Sequence, residues 1–190
     1  MIENHVELSR DAIIDAALNC ASGIGWSKTK MQNITKELNT DITALNKFYD
    51  DKTDILIGYG RRIDKDVLNN ISTFTKDDTN KDKLFEIFME RFDILNDNRD
   101  AVLSILSSFK NDPCTALTSL PHLNHSMGWM ITAANIQISG IKGSIIVGAI
   151  TLAYLNTVRV WMSDVSEDMS KTMAALDKNL DHLKHLERLF

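Results

Sequence analysis

The sequence predicts an all-α protein, and three observations predict it. Glycine and proline are scarce, 8 and 2 in 190 residues, too few for the many tight turns of an antiparallel β architecture. Apolar residues recur at three- and four-residue steps instead of alternating. Leucine, alanine and lysine, all good helix formers, fill the stretches between predicted stops. An apolar share of 44% beside 25% charged residues is enough to bury a core of ordinary globular kind.

The elements follow in order. Ser9 is placed to cap a first helix from Arg10 to Ser22, with Ile13, Ala16, Ala17 and Cys20 on one face, and Gly23 and Gly25 end it. Trp26 packs back from the connection. Ser27 or Thr29 caps a second helix reaching Leu38, Asn39-Thr40-Asp41 makes a tight turn, and Asp41 caps a short third helix. Ile34, Leu38, Ile42 and Leu45 are expected to form the small core between those two.

A longer fourth helix begins between Lys52 and Asp54 and carries Ile55, Leu56, Tyr59, Ile63, Val67, Leu68 and Ile71 along one stripe. The polar stretch Thr73 to Lys83 reads as a linker. Leu84, Phe85, Phe88, Met89, Phe92 and Leu95 mark a strongly amphipathic fifth helix, and Ala101, Val102, Ile105, Leu106 and Phe109 a sixth, which Asn111-Asp112-Pro113 breaks. A seventh helix spans Cys114 to Ile138 and is expected to break or restart near Pro121, whose ring removes a backbone donor. Ser139 and Gly140 end it. The eighth, Ile141 to Met162, offers Gly143, Gly148 and Ala153 as points of close approach; the ninth, Ser166 to Phe190, repeats Met173, Leu176, Leu180, Leu183, Leu186 and Leu189.

The net charge of −5 gives no global attraction to nucleic acid, so any such contact must come from a local basic patch. Cys20 and Cys114 have no motif spacing and read as two buried thiols, not a disulfide or a metal site. No apolar run approaches the roughly 20 residues of a membrane span. The longest is Ile145 to Leu155, and a cytoplasmic location is expected. His122 and His125 have no carboxylate or cysteine cluster to complete a metal site, and Arg91 with Asp93, or Arg159 with Asp164, reads as a simple ion pair. With no phosphate-cradling glycine loop, no Ser-His-Asp arrangement and no paired catalytic carboxylates, neither catalysis nor a cofactor is expected.

Residues 29 to 56 outline a helix-turn-helix, a motif whose first helix braces across the DNA backbone while the second lays its N-terminal side chains in the major groove. On that use Thr40, Thr43, Ala44 and Lys47 stand at the groove, and Lys28, Lys30, Tyr49 and Lys52 on phosphates. The charge is adverse: Arg10, Lys28, Lys30, Lys36, Lys47 and Lys52 are slightly outnumbered by Asp11, Asp15, Glu37, Asp41, Asp50, Asp51 and Asp54. Among the aromatic and methionine residues of the second half, Phe88, Phe92, Met127, Met130 and Trp161 are the candidates to line an apolar effector pocket; plain core is the competing use.

The motif resembles that of the TetR family of transcriptional regulators, matching it at Ile34, Leu45, Tyr49, Lys52 and Ile55. Asn39 stands where the family has a turn glycine, Asp41 where it has serine, and Asn46 where it has a phosphate-binding tyrosine. The resemblance implies a helix-turn-helix domain over residues 1–52 and a helical ligand-binding and dimerisation domain over 53–190. The implied function is that of a homodimeric repressor of operator DNA that responds to an apolar small molecule. The order Trp161, Asp164, Ser166, Asp168, Thr172, Leu176 and Asp177, with Gly25-Trp26, is similar to a TetR-like alphaproteobacterial branch related to lipid-binding accessory proteins of ubiquinone biosynthesis. That likeness implies the alternative: an isoprenoid-binding protein without DNA.

Overall fold

The computed structural model describes the backbone of residues 8–187 and the side chains of residues 8–183. Among the described residues all regular structure is helical: α1 (Arg10–Ile24), α2 (Met31–Glu37), α3 (Ile42–Leu45), α4 (Lys52–Asn70), α5 (Asn80–Asn96), α6 (Arg99–Ser108), α7 (Pro113–Ala133), α8 (Gly140–Trp161) and α9 (Ser170–Glu187). Contacts divide the chain into two units, one formed by residues up to Arg62 with Leu95–Ser119, the other by Ile63–Ile94 with the residues from Leu120 onward. In the first unit α6, distant in sequence, packs against α1.

In the first unit Ser9 caps α1 by accepting from the Ala12 amide at 3.1 Å. The face of α1 bearing Ile13, Ile14, Ala16, Ala17, Leu18 and Ala21 is buried, while Gly25 at φ 86° turns the chain away. Trp26 is buried, and its amide donates to Ser104 Oγ on α6 at 2.8 Å. Lys52, at the head of α4, donates from Nζ to the carbonyls of Trp26 at 3.0 Å and Thr29 at 3.3 Å and lies over the Trp26 ring. The loop between α1 and α2 is therefore fixed from both sides.

In the second unit α8 and α9 pack along each other, and Leu84, Ile87, Phe88, Phe92, Met127, Met130, Ile131, Tyr154, Trp161, Leu176 and Leu180 make the core. Thr157 Oγ1, buried on α8, accepts from Asn179 Nδ2 on α9 at 3.0 Å. Asp164 is 2% exposed and organises the start of α9, accepting from Ser166 Oγ, the Thr172 amide and Thr172 Oγ1.

Several expectations are corrected. α7 runs unbroken through Pro121, whose ring is on the exposed side, while Ser126, Met127, Met130 and Ile131 anchor the helix beyond it. Tertiary packing there outweighs the roughly 3 kcal/mol that an internal proline costs a helix. Of the two thiols expected to be buried, Cys20 is half-buried and Cys114 exposed, and both are free. The apolar run Ile145–Leu155 is the middle of a 22-residue helix that is long and apolar enough to cross a bilayer. One face of α8, with Val147, Ile150, Ala153, Tyr154, Val158 and Trp161, is nonetheless buried within its own unit. On α9 the expected stripe is buried at Leu176 and Leu180 but exposed at Met173; Leu186, Leu189 and Phe190 lie outside the described side chains.

Candidate functional site

The helix-turn-helix is built by local hydrogen bonds that the sequence makes available. Asn33 Oδ1 accepts from the Lys30 amide at 2.9 Å, closing the first turn of α2, and the buried Thr29 donates from Oγ1 to the Gly25 carbonyl at 3.0 Å. Asn39 takes the left-handed conformation, φ 49°, that an asparagine tolerates and the family's glycine would supply. Asp41 Oδ1 then accepts from the Ala44 amide at 2.8 Å and caps α3. α3 itself is a single turn, but the winding continues through Asn46 N to Ile42 O at 2.9 Å and Tyr49 N to Leu45 O at 3.2 Å.

This geometry sorts the candidate DNA-contacting residues. Thr43, Asn46 and Lys47 are exposed along α3 and its extension, Thr40 and Ala44 are half-buried, and Lys28 and Lys30 are exposed ahead of α2. Ile42 was expected in the core between α2 and α3, beside Ile34, Leu38 and Leu45. Ile34 and Leu45 are fully buried there and Leu38 half-buried, but Ile42 is 41% exposed and belongs to the presented face. With only one helical turn, periodicity had too few residues to fix its direction.

Two candidates are engaged inside the fold. Tyr49 is 3% exposed, with Arg10 stacked 4.9 Å from its ring centre, and its ring fills the space beside Gly58 so closely that a Cβ there would meet Oη at 2.5 Å. It serves as core, in the place where the family pattern has phenylalanine. Lys52 commits Nζ to the two carbonyls described above.

The acidic residues are similarly reassigned. Arg62 pairs with Asp15 at 2.7 Å and with Asp11 at 3.9 Å, so two carboxylates of α1 have a cation from outside the motif. Asp51 Oδ1 accepts from the Thr53 and Asp54 amides at 2.7 and 2.9 Å, where the helix dipole favours a negative charge. Asp41 does the same for α3.

On the effector side, Phe88, Phe92, Met127, Met130 and Trp161 come together in the second unit, each 0% exposed. Tyr154 joins them: Phe88 and Phe92 lie 5.6 and 5.4 Å from its ring centre, and Phe92 lies 6.2 Å from that of Trp161. Into this cluster projects Arg91, 4% exposed, donating from Nε to Tyr154 Oη at 3.1 Å and from Nη1 to Asp64, with its guanidinium 5.5 Å from the Tyr154 ring centre. Ser126 Oγ donates to the same Asp64 oxygen at 2.5 Å. Burial works against the Arg91 charge, but Tyr154 and Asp64 outweigh it and hold the group above an ordinary guanidinium pKa. The expected pairing of Arg91 with Asp93 is thus replaced by one with Asp64, a partner on α4 that no local spacing reveals.

An open groove of about 500 Å³ lies elsewhere in this unit, between the second half of α7 and the start of α8. Asn124, His125, Gly128, Trp129, Gly143 and Val147 are among its walls, and none of the five expected lining residues is. Trp129 is 52% exposed there and donates from Nε1 to His125 Nε2 at 2.9 Å. Among the described residues no three His, Cys, Asp or Glu side chains gather to hold a metal.

Compared with solved structures, the chain superimposes over most of its length on a TetR transcriptional regulator from Nitrosomonas europaea, with a TM-score of 0.75, 20% identity, and 93% of this chain and 98% of that one covered. A TetR transcriptional regulator from Rhodococcus sp. RHA1 gives a TM-score of 0.68 at 13% identity, covering 92% and 94%. The chain has the TetR fold. No protein-family model and no curated protein matches the sequence. Within the TetR fold the motif described above occupies α2 and α3, and the Trp161, Asp164, Ser166 and Thr172 set that resembled the lipid-binding branch provides core and the cap of α9.

Proposed function

We propose that the protein is a homodimeric, DNA-binding transcriptional regulator of the TetR type, a repressor released by an apolar small molecule. The observation that carries this reading is the α2–turn–α3 unit, whose caps and core are satisfied while Ile42, Thr43, Asn46 and Lys47 point outward. Thr40, Thr43, Ala44 and Asn46 read base edges, Ile42 meets a thymine methyl, and Lys28, Lys30 and Lys47 hold phosphates. Tyr49 and Lys52 support this surface from behind.

The partner is a second copy of the chain. α8 carries an uncovered apolar row in Ile141, 83% exposed, Ile145, 54%, and Leu152, 61%, beside its packed partner α9. Two such pairs placed together make a four-helix interface that hides this row and sets two reading heads on half-sites one helical turn apart. An effector that binds better to a conformer with mismatched heads lowers DNA affinity by its differential affinity for the two states.

The test is binding to DNA from the protein's own upstream region across a salt series. Affinity that falls steeply as salt rises is expected. Absence of binding at low salt would overturn the proposal, and a co-purified isoprenoid in native mass spectrometry would then favour the lipid-binding alternative.

A further inference from the structure

We propose that Arg91 is the anchor of an effector site for a monocarboxylate with an apolar body, which competes with Asp64 for the guanidinium. This rests on the effector arm of the function proposed above and names the chemistry of its ligand. Arginine has five N–H donors. Arg91 uses one on Tyr154 Oη and one on Asp64, and among the described residues the remaining donors, on Nη1 and Nη2, meet no acceptor. Arg91 is only 4% exposed, so these donors are nearly cut off from solvent. A planar fork with open N–H groups, nearly stripped of water, is the geometry that a carboxylate satisfies with two parallel hydrogen bonds.

The surroundings select the rest of the ligand. Arg91 stands on α5 between Phe88 and Phe92, against Tyr154, and Met127 and Met130 complete the same core. These side chains favour an apolar body, and the methionines can repack around an irregular one.

Charge decides how such a ligand enters. Asp64 and Arg91 cancel, so a second carboxylate added beside them would leave an uncompensated charge in a low-dielectric site. The ligand must therefore take the place of Asp64. That residue is able to leave: its side chain is 16% exposed, and only its Oδ1 is held, by Arg91 and Ser126. Its departure removes the polar links that Asp64 makes from α4 to Arg91 on α5 and to Ser126 on α7.

The experiment compares 4-phenylbutanoate with 4-phenylbutanamide, equal in size and differing in charge, by calorimetry on the full chain without DNA. The acid is expected to bind about tenfold or more tightly than the amide. Asp64→Asn, which removes the competing charge but keeps the shape, should tighten the acid about tenfold further and leave the amide unchanged. Arg91→Gln should abolish the preference. Equal affinity of acid and amide, binding of neither, or an Asp64→Asn variant with unaltered acid affinity would overturn the site. Asp64→Asn decides the matter even where Arg91→Gln does not fold. DNA binding is measured separately, so loss of the carboxylate preference leaves the regulator reading standing, and failure to bind DNA leaves the site standing.

Discussion

Gly58→Ala is predicted to destabilise the protein although glycine-to-alanine changes inside a helix ordinarily stabilise it. Gly58 and Gly60 both lie within α4. On propensity alone each alanine would contribute about 1 kcal/mol. At Gly60 a Cβ meets nothing within 4 Å, so that gain should appear in full. At Gly58 the same atom would sit 2.5 Å from Tyr49 Oη, 2.7 Å from Cε1 and 2.9 Å from Cζ. The ring has little freedom to retreat, being 3% exposed with Arg10 stacked on it. Overpacking of a filled site costs about 1–3 kcal/mol, which outweighs the propensity gain. For a chain of this size 1 kcal/mol moves the melting temperature by roughly 2–4 °C. Calorimetry should therefore show Gly60→Ala melting about 2–4 °C above the parent and Gly58→Ala melting below it. Equal stabilisation by both would refute the claim that Tyr49 is locked in the core.

Two other predictions separate structural from DNA-contacting roles. Lys47→Ala should leave the melting temperature unchanged and lower the salt slope of DNA binding by about 2, one phosphate contact being lost from each copy of the dimer. Lys52→Met should lower stability by about 1–3 kcal/mol in a urea titration, because the Trp26 and Thr29 carbonyls lose their donor. Asp164→Ala should also cost about 1–3 kcal/mol at pH 7, by stranding the Ser166 and Thr172 donors. Burial pushes the Asp164 carboxyl up, but hydrogen bonds from Ser166 and Thr172 outweigh it and hold its pKa well below the usual range. Since the folded value lies below an unfolded one of about 3.9, its stabilisation is complete above that pH and is lost as pH falls through the folded value. The alanine variant should show correspondingly less acid sensitivity below about pH 4 in a denaturation series.

What the sequence revealed was what neighbouring residues decide. Ser9 and Asp41 cap the helices they were expected to cap, and Asn39 takes the turn, because each acts on an amide within a few residues. The direction of Ile42 is not legible because α3 is one turn long, and α7 passes through Pro121 because the proline's cost is local while the compensation, at Met127, Met130 and Ile131, is tertiary. The aromatic cluster was legible as a group of inward residues, but not the charge at its centre. Arg91 and Asp64 are 27 positions apart on different helices, and their pairing depends on packing alone.

The same distinction alters the electrostatics of the face proposed to bind DNA. The motif and the helix before it carry a slight acidic excess, but Asp11 and Asp15 are paired by Arg62 from beyond it, and Asp41 and Asp51 sit on helix N-termini. Cations are also withdrawn, since Lys52 bonds to backbone carbonyls and Arg10 covers Tyr49. Lys28, Lys30 and Lys47 are what the proposal leaves for phosphate, too few for strong binding by one copy. Two copies would neutralise about six phosphates, giving a log–log salt slope near −5. Leu152→Glu, placed in the exposed row of α8, should split the dimer in sedimentation and reduce that slope to about half. A monomeric variant that kept the full slope would mean that phosphate contacts come from residues other than these lysines.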